Sequence, residues 1–344
     1  MSQRVAPSLP KSLVAGLAAA ALALVLLLPT ARGEEYPVFW TSPTPADQTK
    51  FTVPMGKDVS ITLAAATSVS LAAVHIQPLS SIPKGARFNS ADGGVAKASF
   101  HWTPKKLGDY IVEFQASSVE VSAPTLRFVI HVVPYEYSLA NEKVARWGFV
   151  LKRAVVRAQP KAAARVVTTL ATATGDDTQN LVLAIEGVDR SPTETWYRVR
   201  LPILPNNTTG WVRAGYLSKL QTTRTHLYID RARKTAILKR SGVTVFKTGV
   251  GVGLPYWPTP QGEFYIRSKL TNFNDPFYGP IAFGTNARSA VLTDWPGGGF
   301  VGIHGTSLPQ IIPGAVSHGC VRMVNSAIVR LARLMSIGTP LTIS

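Results

Sequence analysis

A single cysteine, Cys320, sits in the run Ser317-His318-Gly319-Cys320-Val321-Arg322-Met323, and a second histidine precedes it in Ile303-His304-Gly305-Thr306. A thiol attacks a carbonyl carbon as thiolate, and a free cysteine ionises only near pH ~8.5. A neighbouring imidazole can take that proton and later return it to a leaving amine. These residue types together offer a nucleophile and a base. Arg322 and the positive charge around it favour the thiolate further. Spacing alone does not choose the base. In an extended chain His318 and Cys320 share a face about two strand rises of ~3.3 Å apart, whereas an adjacent strand can bring His304 as near or nearer. Gly305 and Gly319 permit close backbone approach and exposed amides, as an oxyanion site requires. Each histidine or glycine taken singly reads as well as a structural residue, and a lone cysteine is most often a small buried hydrophobe. The constellation as a whole favours chemistry.

The elements around it must hold these groups in place. Downstream, Ile328, Leu331, Ala332 and Met335 fall at i, i+3, i+4 and i+7, which predicts one amphipathic helix closed by Gly338. Asn325 just ahead of it reads as the N-cap rather than as a catalytic group. Upstream, His226–Asp230, Thr235–Leu238 and Val243–Phe246 alternate as strands, with Lys239-Arg-Ser-Gly242 as the hairpin turn. Gln221–Thr225 reads as a linker.

Two further units precede that linker. Over 35–134, Phe51–Val53, Val59–Leu63, Ala98–Trp102, Tyr110–Phe114 and Leu126–Val133 alternate apolar with polar residues. The stretches Pro83–Phe88, Phe100-His-Trp-Thr-Pro104 and Gly108–Phe114 resemble the Ig-like, cadherin-like modules of bacterial surface proteins, which implies a β-sandwich acting as spacer or adhesive element. Over 135–221, strands are predicted at 150–157, 164–170, 181–185 and 196–200. The closing Gly210-Trp-Val…Tyr216-Leu217 resembles bacterial Src-homology-3-like domains and implies a small wall-associated barrel. Trp211 and Tyr216 read equally well as core aromatics.

With 344 residues the chain exceeds one ordinary core. Its formal charge of +17 is unevenly placed. Residues 34–134 balance 8 basic against 8 acidic groups, 135–221 carry 12 against 7, and 222–344 carry 13 against 4. A basic field of this kind concentrates anionic partners and weakens with salt. There is no dense Lys/Arg run with interleaved aromatics, which argues against nucleic acid. An anionic cell-wall polymer suits it better, beside the plain reading of a soluble basic surface. Residues 1–33 read as a targeting segment: Arg4 and Lys11, an apolar run from Leu13 to Leu28, then Ala31-Arg32-Gly33 as a cleavage site. The run is near the lower limit for spanning a bilayer, so an uncleaved membrane anchor stays open. Either way the expectation is an exported protein, working in the cell wall or periplasm.

The run from His304 through Ser317-His-Gly-Cys320-Val-Arg-Met to Asn325 resembles the signature of the L,D-transpeptidase catalytic domain. Gly249-Val-Gly-Val-Gly253, Thr259-Pro-Gln-Gly-Glu-Phe264 and Tyr278-Gly-Pro-Ile-Ala-Phe283 match it upstream, so the resemblance covers about 224–344. It implies a β-sandwich-like fold for the last domain (222–344); with its predicted C-terminal helix and the two units ahead of it, the chain reads as mainly β in three domains. It also implies Cys320 as nucleophile and His304 as general base, oriented by the carbonyl of Gly305. His318 and the amides of Gly319 and Cys320 are expected at the oxyanion, with Ser317, Arg322 and Tyr278 on the substrate. The implied reaction joins a tetrapeptide stem of peptidoglycan to the diamino-acid amine of another stem, with no metal or organic cofactor, and carbapenems are the expected inhibitors. The same site with water as acceptor gives an L,D-carboxypeptidase, and with a lipoprotein amine an anchoring enzyme. An inactive wall-binding scaffold is the rival from another class.

Overall fold

The structure is a computed structural model; it describes residues 38–69, 72–119, 121–175, 178–271, 276–292 and 299–344. The targeting segment expected over 1–33 lies outside the described residues. The architecture is mainly β, with one α-helix near the C-terminus among the described residues.

In the first unit, alternation becomes two faces. Along Leu126–Val133 every second side chain (Leu126, Phe128, Ile130, Val132) is buried and the others face outward. A four-stranded and a five-stranded sheet pack over the resulting core, which includes Phe100, Trp102, Phe114 and Phe128. The second unit is an eight-stranded sheet folded around Val156, Val182, Ala184, Val199 and Val212. The strand expected at 150–157 is shorter, Ala154–Arg157. Ala145–Phe149 and Ala154–Arg157 are separate strands, because exposed Leu151, Lys152 and Arg153 turn the chain between them.

The third unit carries a ten-stranded sheet. Thr235–Arg240 and Val243–Gly249 form the predicted hairpin, and its turn places Ser241 and Gly242 at φ 51° and 88°, the left-handed pair that tight hairpins need. Its middle strands run Gly262–Thr271, Ile281–Arg288, Phe300–His304 and Val321–Arg322 in that spatial order. The helix spans Asn325–Leu334 and buries Ile328, Leu331 and Ala332 against the sheet's core; Ile328 and Leu331 contribute roughly 1.5–3 kcal/mol each.

Two expectations change. Gln221–Thr223 is no free linker but a strand paired antiparallel to Ala145–Phe149 (Ala145 opposite Thr223). The buried hydroxyls of Thr223, Thr225 and Thr339 then form a chain at 2.9 and 2.7 Å. Nor is Asn325 the N-cap: Val324 occupies that position with no side-chain bond to the helix, and Asn325 opens the first turn. The second and third units share a small core of Trp147, Leu181, Leu183 and Tyr265, and the Tyr265 hydroxyl donates to the Leu181 carbonyl at 3.1 Å.

Candidate active site

The thiol is presented by a tight turn between the strands Gly314–Ser317 and Val321–Arg322. Gly319 takes φ +112°, a left-handed value that only glycine adopts without strain. Ser317 braces the turn. Its hydroxyl accepts from the Gly319 amide at 3.1 Å and donates to the Cys320 carbonyl at 2.5 Å. Thr259 adds a second brace, donating to the Gly319 carbonyl while accepting from the Gly253 amide, both at 2.8 Å.

This arrangement corrects two assignments. Ser317 is fully buried and its hydroxyl is committed within the turn, so it shapes the nucleophile's backbone instead of touching substrate. The Gly319 amide is likewise occupied by Ser317 and is not an oxyanion donor in this arrangement. The Cys320 amide, by contrast, has no acceptor among the described residues, and the sulfur itself accepts from the Gly302 amide at 3.4 Å.

His304 ends the strand Phe300–His304, which runs parallel to Val321–Arg322 with Ile303 opposite Val321 and His304 opposite Arg322. That register carries the imidazole alongside the segment that follows Cys320. The ring is 2% exposed, and its Nδ1 lies 2.7 Å from the Gly305 carbonyl. A carbonyl only accepts, so Nδ1 carries the hydrogen and Nε2 keeps its lone pair. Tyr278 meets the ring edge-on at 4.9 Å between centroids. His318 differs: it is exposed, with the Trp257 ring 4.0 Å away. The geometry thus sets the two histidines apart: His304 is buried with its Nδ1 on the Gly305 carbonyl, which leaves Nε2 for accepting a proton, and His318 is exposed beside Trp257.

Asn325 holds the far side of this turn. Its Oδ1 accepts from the Thr306 amide at 2.9 Å and lies where Gly279 and Gly305 approach each other. A Cβ on Gly305 would stand 2.3 Å from that oxygen, and one on Gly279, itself at φ +65°, would stand 2.4 Å from it. The two glycines are thus required by close approach around one amide.

Cys320, His304, His318, Tyr278 and Arg322 all line one cavity of about 250 Å³, completed by Phe277, Leu292, Phe300 and their neighbours. Burial pushes the Cys320 thiol up; the Gly302 amide and the Arg322 charge pull it down by less. Burial also lowers His304 to about 4, against the Gly305 bond that raises it and with help from Arg322. The resting pair is therefore neutral thiol and neutral imidazole. Arg322 is 7% exposed, with its guanidinium 4.5 Å above the Phe277 ring and its Nε unpartnered. A buried cation with an unsatisfied N–H in a cavity wall suits a carboxylate or carbonyl oxygen brought by a ligand. Gly302, Phe277, Leu292 and Phe300 went unread in the sequence, and Asn325 was read only as a helix cap. The glycine-rich Gly297-Gly-Gly-Phe-Val-Gly302 run was the one local signal of them.

Residues 224–343 match the family model YkuD, the L,D-transpeptidase catalytic domain. The candidate L,D-transpeptidase YkuD of Bacillus subtilis is 33% identical over 119 residues, which are 35% of this chain and 65% of that protein. YqjB of the same organism, also a candidate L,D-transpeptidase, is 32% identical over 94 residues, 25% of this chain and 52% of its own. The chain thus spans about half to two thirds of the curated relatives it matches. Among solved structures, an L,D-transpeptidase of Enterococcus faecium aligns at 23% identity over 35% of this chain and 49% of that one, TM-score 0.29. An L,D-transpeptidase of Mycobacterium smegmatis aligns at 14% identity over 90% and 99%, TM-score 0.27.

Proposed function

We propose, from the premise that residues 224–343 form a catalytic domain of the YkuD L,D-transpeptidase type, that this chain cross-links peptidoglycan stem peptides by acyl transfer through Cys320. One observation carries the reading: Cys320 and a histidine with a bare Nε2 line the same partly closed cavity. His304 Nε2 takes the thiol proton as sulfur attacks the carbonyl of the third stem residue. The Cys320 amide donates to the oxygen that becomes negative. Collapse breaks the C–N bond, and the imidazolium gives its proton to the departing D-alanine amine. The side-chain amine of a second stem's diamino acid then attacks the thioester, and His304 accepts its proton. Sulfur leaves and is reprotonated, which yields a 3→3 cross-link. The unpartnered Nε of Arg322 in the cavity wall supports a role for it in binding an oxygen of the stem.

The same thiol would open a carbapenem ring: sulfur attacks the lactam carbonyl, the lactam C–N bond breaks, and the freed ring nitrogen, still tethered to the acyl group, takes the proton from the imidazolium. The basic surface of 222–344 supports work beside an anionic wall polymer, and the sequence of 1–33 supports export to that compartment. The test is to incubate the full chain with a disaccharide-tetrapeptide muropeptide and follow products by mass spectrometry. D-alanine and a cross-linked dimer are expected. D-alanine with no dimer would make it a carboxypeptidase, and neither product would make the domain a scaffold.

A further inference from the structure

The turn between Glu194–Arg200 and Thr209–Arg213 belongs to the second unit, yet its tip reaches into the third. Asn206 meets Arg288 with both ends of its amide: Nδ2 donates to the Arg288 carbonyl at 2.7 Å, and Oδ1 accepts from the Arg288 amide at 3.0 Å. A side chain paired with both backbone groups of one residue stands in for a neighbouring strand. Asn207 follows at φ +68° and accepts from the Glu263 amide at 2.7 Å, with Gly262 packed beneath its amide. In return Asn286, 2% exposed, donates to the Leu201 carbonyl at 3.3 Å and accepts from the Tyr265 amide at 2.7 Å.

Arg288 is the last residue of Ile281–Arg288, and what comes next is cavity wall. Arg288 pairs with Phe300 across the sheet, and the Ser289 amide donates to the Gly299 carbonyl at 2.8 Å. The Ser289 hydroxyl accepts from the amides of Val291 and Leu292 at 3.3 and 3.0 Å, which turns Leu292 toward the cavity. Ser289, Leu292, Gly299 and Phe300 all line it. The Phe300 ring is further flanked by the guanidiniums of Arg267 and Arg288 at 4.2 and 5.0 Å.

We infer that Asn206 is a positioning residue for the substrate cavity, so that the second unit completes the catalytic domain instead of merely tethering it. Removing its amide frees the Arg288 backbone at the one point where the wall leaves the sheet. The Leu292 and Phe300 side of the cavity then loses its fixed distance from Cys320, while the Ser317 and Thr259 braces of the nucleophile stay intact. The effect belongs in substrate binding more than in the chemical step. The kinetic part of this inference rests on the acyl-transfer reading above; the backbone part does not.

The experiment compares the full chain with Asn206→Ala and Asn206→Asp, and with Asn207→Ala as the contact of the same turn that lies away from the wall. Amide hydrogen exchange over 284–292 is read first, since it needs no turnover. Asn206→Ala is expected to lose protection there by roughly tenfold, two hydrogen bonds being gone. Asn206→Asp, which keeps the acceptor alone, should fall between and reports on the clamp should the alanine variant not fold. Asn207→Ala should match wild type over this segment. With the tetrapeptide muropeptide, Asn206→Ala should raise KM by roughly three- to tenfold with kcat within about twofold of wild type. Unchanged exchange at 284–292, equal loss in Asn207→Ala, or a fall in kcat at constant KM would each overturn the inference. A wild-type chain with no turnover but with the predicted exchange pattern would instead sink the proposed reaction and leave the clamp standing.

Discussion

At the scale of residues, half-buried Cys320 and buried His304 set the pH behaviour. Burial disfavours charge on both, which pushes the thiol up and His304 down to about 4. An ion pair formed before substrate arrives would need the opposite shifts. The proton therefore moves during attack, and the base is already competent at any pH above about 4. The rate of Cys320 acylation should be flat from about pH 5.5 to about 8, with an acid limb only near the His304 value. A limb near the ordinary imidazole value of about 6.5 in that profile would contradict a buried, neutral His304. His304→Ala should slow acylation by roughly 10²- to 10⁴-fold. His318→Ala should cost less, because the His318 ring is exposed beside Trp257, whereas His304 is buried with its Nδ1 on the Gly305 carbonyl.

At the scale of elements, the site depends on contacts that join distant stretches of chain. Asn325 opens the helix yet its side chain serves the Thr306 amide nineteen residues upstream in sequence. Asn325→Ala should leave that amide unsatisfied and weaken the turn by about 1–3 kcal/mol. Acylation should fall, though by less than in His304→Ala; equal losses in folded variants would make Asn325 part of the chemistry. The helix ends at Leu334 with Met335 as its C-cap, so Gly338 lies beyond the expected closing position; it takes φ +76°, and a Cβ there would lie 2.1 Å from the Trp147 ring of the second unit. Gly338→Ala should lower the melting temperature by several degrees through both strain and clash, and an unshifted melt would show that this seam gives way freely. These contacts explain what could be read in advance. The Ser241-Gly242 hairpin and the Ile328–Met335 stripe are local patterns with periods of two and 3.6, so the sequence displays them. Cys320, His304 and Gly305 were legible because their types are chemical. Asn325 was misread as a cap because a polar residue before a helix is a local signal, whereas its actual partner is set by tertiary packing. Gln221–Thr223 looked like a linker for the same reason: its polar threonines are buried by pairing with each other and with Thr339.

At the scale of the whole molecule, acid should loosen the fold before carboxylates titrate. His304 and His226 are both lowered to about 4, chiefly by burial; Lys239 and Arg200 add to the effect at His226, and Arg322 at His304. Their unfolded values lie near 6.5, so between those limits the unfolded chain binds more protons than the folded one. The stability they contribute is complete above about 6.5 and is lost as pH falls through about 4. For His304 it amounts to about 3 kcal/mol at most. The urea midpoint should therefore drop between pH 7 and pH 4.5, and His226→Gln should flatten part of the drop; a constant midpoint would contradict the neutral burial of both rings. Salt should also weaken the proposed binding to an anionic wall polymer in a pull-down series, since 222–344 carries 13 basic groups against 4 acidic ones. All of this surrounds one central claim, that Cys320 becomes acylated with His304 as its base. The most direct test mixes the full chain with excess tetrapeptide muropeptide, quenches in acid, and locates the added mass by peptide mapping. The expected result is a stem lacking its terminal D-alanine on the peptide that holds Cys320, formed at least 10²-fold more slowly in His304→Ala and absent in Cys320→Ala. An adduct that persists in Cys320→Ala, or one that forms at the wild-type rate without His304, would contradict it.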